Sequence, residues 1–109
     1  MSTNPYLDLQ TRLQRLETPD PSTPLTAQIS SLQQWFQQNF LASDGDRPDS
    51  EQSLLVEIHK QLRLLATDAA FLQTAKTPQT QQQRQQQIRD RLTTLNRYCD
   101  HLLNPNDKT

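Results

Sequence analysis

Three neighbouring side chains, Cys99, Asp100 and His101, are of types that bind metals or take part in nucleophilic catalysis. Their spacing argues against both. On a helix successive residues point about 100° apart, so three neighbours cannot converge on one ion. Cys99 also falls within an apolar stripe, where a free cysteine behaves as a small hydrophobe. The other histidine, His59, belongs to a different helix and sits beside Leu55 and Leu62 at a stripe edge. It reads as an amphipathic boundary residue. The chain has no Gly-rich phosphate loop, no G-x-S-x-G and no H-E-x-x-H. The expectation is a protein that is not an enzyme and has no cofactor, metal or small-molecule substrate.

Two surface features suggest contact with other proteins. Leu64 and Phe71 lie seven residues apart, so they share a helix face. That face is turned roughly 120 to 140° away from the main apolar stripe of the same helix. Val56 and Lys60 border it. Large apolar groups off the core stripe need cover, supplied either by another helix of the chain or by a partner, with a homodimer seam as one form of the latter. Further on, Arg84, Arg91 and Tyr98 recur every seven residues on one flank of another stripe. Long arginine stems can cover a core edge with their charges in water. Alternatively the three form a docking ridge, since Arg and Tyr are enriched in interface hot spots. Arg89 and Arg97 point further outward. Exposed pairs such as Asp68 with Lys60 or Arg63 would be worth little.

The elements that position these residues are helices. From Asp49 to Ala75 the apolar residues Leu55, Ile58, Leu62, Leu65, Ala69 and Leu72 follow at gaps of 3, 4, 3, 4 and 3, with no Pro or Gly between. Such a helix would be roughly 40 Å long, and the rest of the chain must pack against it. A first helix starts at Asn4-Pro5, carries Tyr6, Leu9, Leu13 and Leu16, and stops before Pro19 and Pro21. A second runs from about Pro24 to Leu41, with Leu25, Ile29, Leu32, Phe36 and Phe40 inward and Trp35 on the flank. The same Asn/Thr-Pro device marks the starts at Asn4-Pro5, Thr23-Pro24 and Thr77-Pro78. The segment from Ser43 to Pro48 is a loop, after which Asp49 caps the long helix with Gln52 completing a variant capping box. A short turn at Lys76-Thr77-Pro78 leads into a fourth helix to about Leu103, with Ile88, Leu92, Leu95, Cys99 and Leu102 inside. Its glutamine-rich opening, Gln79 to Gln87, is a solvated first part of that helix.

The expected architecture is all-α, a single domain over 1–109 with helices near 5–17, 24–41, 50–75 and 78–103. The short final turn makes the last two helices antiparallel, giving an antiparallel four-helix bundle built on a long C-terminal helical hairpin. Composition agrees, since Leu and Gln dominate, β-branched runs are missing and Gly45 is the single glycine. A length of 109 residues allows one modest core. The net charge of −1, with acids and bases interspersed, supplies no overall basic surface for nucleic acid. One cysteine allows no intrachain disulfide, no run is long enough to span a membrane, and the N-terminus lacks signal character. A cytoplasmic location is expected.

Two segments carry a family resemblance. One is Glu57-Ile58-His59-Lys60-Gln61-Leu62-Arg63-Leu64-Leu65, continuing through Asp68 to Phe71-Leu72-Gln73. The other comprises Arg84, Gln87-Ile88-Arg89-Asp90-Arg91-Leu92 and Arg97-Tyr98-Cys99-Asp100. Together they resemble the cyanobacterial heterocyst frequency control protein family, PatD, over Leu54 to Leu103. The resemblance implies a small non-enzymatic regulator. It would act on cell division through the tubulin-like GTPase FtsZ and, in filamentous species, on heterocyst frequency. It transfers no catalytic residue, cofactor or defined contact residue. The candidate partner-binding residues, Lys60, Leu64, Phe71, Arg84, Arg91 and Tyr98, come from helical geometry alone. A structural homodimer or assembly subunit using the Leu64/Phe71 face is the alternative function.

Overall fold

A computed structural model describes residues 4–18, 21–41 and 48–104. The loop expected over 43–48, save Pro48, and the residues after Asn104 lie outside that range. The described residues form α1 (Pro5–Glu17), α2 (Leu25–Phe36), a π-helical turn (Gln37–Leu41), α3 (Asp49–Thr74) and α4 (Pro78–Leu103). The all-α bundle is as expected. α1 packs on α4 and α2, α2 on α3, and α3 on α4, so the helices enclose one core in chain order.

The helix starts are of two kinds. At α1 the Tyr6 N–H donates to Asn4 Oδ1 at 2.9 Å. At α4 the Thr80 N–H donates to Thr77 Oγ1 at 3.2 Å. Both satisfy a backbone donor that the first turn leaves unpaired, and Pro5 and Pro78 have no such donor to satisfy. The other two starts differ from expectation. Pro24 and Pro48 themselves occupy the cap positions of α2 and α3, and neither helix has a side-chain cap. Asp49 is the first helical residue of α3, so the capping box with Gln52 does not form. Instead, the Gln52 N–H is taken by the Pro48 carbonyl at 3.0 Å. Asp49 and Glu51 still place negative charge at the positive end of the α3 dipole.

The inward stripes build the core as expected, with Leu9, Leu13, Ile29, Phe36, Ile58, Leu62, Leu65, Leu95 and Cys99 fully buried. Leu72, expected inside, is only partly buried, because it lies near the end of α3. The close of α2 is wound more widely than an α-helix. That i→i+5 winding keeps Phe40 in line with Phe36 over the core, with the ring centroids 5.0 Å apart. Tyr6 of α1 stacks on Phe40 at 5.6 Å, and its hydroxyl donates to Glu51 of α3 at 2.6 Å. Three elements are thus fastened at one end of the bundle.

Helix length sets the overall shape. α3 and α4 have 26 residues each, α1 has 13 and α2 has 12. Gln10 of α1 donates to Asp100 at 2.8 Å, and Asn96 donates to Glu17, the last residue of α1, at 3.2 Å. α1 therefore covers only the C-terminal half of α4. The first half of α4, with its exposed glutamines, runs on beyond the end of α1 alongside α3. The molecule measures 46 × 30 × 22 Å.

Candidate partner-binding surface

The α3–α4 hairpin brings together residues that stand far apart in the chain. Asp68 of α3 is buried, with 5 % of its surface exposed, and pairs with Arg91 of α4. Arg91 Nε donates to Asp68 Oδ2, and Nη1 donates to Gln61 Oε1 at 3.1 Å. Asp68 thus pairs across the hairpin and not with Lys60 or Arg63 of its own helix, whose pairing with it would be worth little only if exposed. Asp68 lies on the flank of α3 that faces α4, where a carboxylate can be buried because a guanidinium meets it. Arg91 is therefore held inside the hairpin, its side chain 18 % exposed, and is not free to form an outward ridge.

The other members of that heptad row are likewise turned toward α3. Arg84 lies over the ring of Phe71, its guanidinium carbon 4.7 Å from the centroid. Tyr98 is partly buried against the core. It lines a hollow of about 380 Å³ with Ser50, Glu51, Leu54, His101 and Leu102. The row therefore lies along the seam between α3 and α4, but the Arg91 charge is paired with Asp68 rather than held in water.

The second candidate face is more open. Phe71 remains 49 % exposed even beneath Arg84, and Val56 is 59 % exposed. Leu64 is partly buried, and Lys60, Arg63 and Thr67 around it are partly or fully open to solvent. A shallow cavity of about 220 Å³ lies among Lys60, Arg63, Leu64 and Thr67. Cover for Phe71 within the described residues is thus one guanidinium, not a helix.

The titratable side chains of the core serve packing. Cys99 is completely buried, and its thiol is pushed up to about 12, first by burial and then by the neighbouring Asp100 carboxylate. A thiol so raised is a poor nucleophile and a poor metal ligand at neutral pH. His101 is exposed, and His59 stacks on Phe36 with centroids 6.1 Å apart. Among the described residues no three His, Cys, Asp or Glu side chains gather where one metal ion could sit. Trp35, expected on the flank, is partly buried there, with the Arg12 guanidinium 4.3 Å above its ring and Phe40 edge-on. Among the described residues no helix is long and apolar enough to cross a membrane.

Sequence reasoning identified Phe71, Leu64 and Arg84 but not that Arg84 covers Phe71. It also missed the Asp68–Arg91–Gln61 group. A signal was present: Gln61 and Asp68 are seven apart on the flank of the α3 stripe, at a spacing that places polar groups against a neighbouring helix. Comparisons of this chain with protein-family models, with curated proteins and with solved structures find no match.

Proposed function

We propose that this chain is a non-enzymatic protein-interaction regulator resembling the PatD family, modulating cell division through FtsZ and, in filamentous species, heterocyst frequency. One observation carries the reading. The two segments of the resemblance, from Glu57 to Gln73 and from Arg84 to Asp100, lie side by side along the hairpin. They are joined by the Asp68–Arg91 pair and by Arg84 over Phe71. A shared pattern whose parts meet on one surface is what a common docking face would leave in a sequence. Lys60, Leu64, Phe71 and Arg84 are the contact residues in this reading. Arg91 and Tyr98 hold the hairpin that presents them.

The test is direct binding of the purified chain to cyanobacterial FtsZ, with and without GTP. Binding at micromolar concentrations is expected. Its absence at tens of micromolar overturns the FtsZ assignment.

The half-exposed Phe71 favours one second reading, a homodimer or assembly subunit with Leu64 and Phe71 at its seam. Light scattering over a concentration series distinguishes the two, because a monomer at every concentration removes the seam.

A further inference from the structure

We propose that the outer face of α3, with Arg84 of α4 at its edge, docks an acidic segment of a partner protein that carries large apolar anchor residues. This rests on the reading above only in taking the partner to be a protein. α2 and α4 occupy two sides of α3. The third side carries Leu64 and Phe71, which lie seven residues apart and nearly in line, with Val56 at its border about 80° round the helix from Leu64. Val56 and Phe71 are half-exposed or more, and the shallow cavity beside Leu64 gives one anchor a seat. Lys60 and Arg63 stand between these apolar positions. Neither forms an ion pair among the described residues.

Charge complementarity selects the occupant. The stretch from Lys60 to Arg91 holds six cations against two carboxylates, Asp68 and Asp90, a net of +4. The chain as a whole is −1, so the remainder carries −5. Because Asp68 is already matched by Arg91, the cations left on the α3 face and its edge meet little internal compensation. Glu57 borders the face one turn before Lys60, at the end away from Phe71. A second copy seated face to face would add its own Lys60 and Arg63 to those already on the face, and like charges gathered in one interface repel. Nucleic acid would meet the cations but leave the apolar side chains, Phe71 above all, without a partner. An acidic protein segment with apolar anchors matches both the charge and the spacing, with Phe71 as the central contact.

The experiment titrates the full chain into fluorescently labelled peptides of equal length with the same leucine and phenylalanine anchors. The intervening residues are glutamate in one peptide and lysine in the other. The acidic peptide is expected to bind at least about tenfold more tightly, with the preference shrinking as salt rises. Arg63→Glu is expected to abolish the preference, and Phe71→Ser to weaken the acidic peptide by about tenfold. Both sites are on the surface, and circular dichroism confirms that each variant is folded. Equal binding of the two peptides, or acidic-peptide binding unchanged in both variants, overturns the proposal. So does dimerisation that Phe71→Ser abolishes, and so does tighter binding of a single-stranded oligonucleotide of equal charge. FtsZ is titrated in parallel. If the acidic peptide binds and FtsZ does not, the surface stands and only the FtsZ assignment falls. If FtsZ binding survives Arg63→Glu and Phe71→Ser together while the acidic peptide is lost, FtsZ binds elsewhere on the chain and both the surface and the assignment stand. If neither FtsZ nor peptide binding changes, the surface falls.

Discussion

Arg91 reaches across the hairpin to Asp68, joining α4 to α3 through a carboxylate that is almost completely buried. The two partners are not equally exposed, which makes the pair asymmetric. Removing the arginine leaves a buried charge without a partner, whereas removing the aspartate leaves a guanidinium that can still turn toward water.

Arg91→Ala should therefore destabilise the fold by about 3 kcal/mol or more, and Asp68→Ala by less. The double variant Asp68→Leu, Arg91→Met should recover most of the loss, since an apolar pair of similar volume has no charge to desolvate. Urea denaturation of the four proteins measures this, and equal losses in both single variants would contradict the asymmetry.

Core substitutions should sort by burial. Leu62→Ala, at a fully buried position in the middle of α3, should cost about 2–5 kcal/mol. Leu72→Ala, at a partly buried position near the end of the same helix, should cost less than Leu62→Ala, because its surroundings are already open to water. Denaturation midpoints are the readout, and an unchanged midpoint for Leu62→Ala would mean that the stripe is misassigned.

The aromatic end of the bundle offers a single-atom test. Tyr6→Phe removes the hydroxyl that donates to Glu51 and leaves the ring stacked on Phe40. A loss of about 1–2 kcal/mol is expected for a part-buried hydrogen bond to a charged acceptor. Thermal unfolding in parallel with Glu51→Gln checks it, and the two losses should not add.

Cys99 sets an alkaline limit. An unfolded cysteine titrates near 9.0, and the buried one is raised to about 12. Folding thus favours the protonated thiol. That contribution is complete below pH 9 and is lost as pH rises from there toward about 12, because the unfolded chain releases its proton first. The slope from this one group is at most about 1.4 kcal/mol per pH unit. The stability gap between the native protein and Cys99→Ala should narrow across that window. In the native protein, thiol labelling at neutral pH should proceed no faster than unfolding.

Much of this fold can be read from spacing. The stripes of α3 and α4 fix which residues go inside, and Asn4-Pro5 and Thr77-Pro78 mark two starts where the structure has them. The other two starts show the limit. The Thr23-Pro24 pattern looks identical, yet the Thr23 carbonyl takes a hydrogen bond from Gln28 and Pro24 becomes the cap. The Asp68–Arg91 pair was hidden for a different reason. Periodicity within one helix tells which way a side chain faces but not the register between two helices. Without that register Asp68 looked like a surface acid, and Arg91 like a docking arginine. The cationic stretch from Lys60 to Arg91 was present in the residue order all along. Its meaning depends on packing, because α2 and α4 leave one side of α3 uncovered.

The unequal helix lengths also bear on motion. Where α1 ends, beside Asn96, the four-helix cross-section thins toward the Ala75–Thr77 turn. Backbone amides in the first half of α4 have fewer packed layers over them than those near Cys99, so they open at lower free energy and exchange with solvent sooner. The aromatic end, with Tyr6, Phe36 and Phe40 interlocked, forms the slow-exchanging anchor. The outer face of α3 runs from the anchored part into the yielding part. A molecule seated along it and touching Arg84 would transmit the rigidity of one end to the other, so that binding on α3 would be recorded as slowed amide exchange on α4.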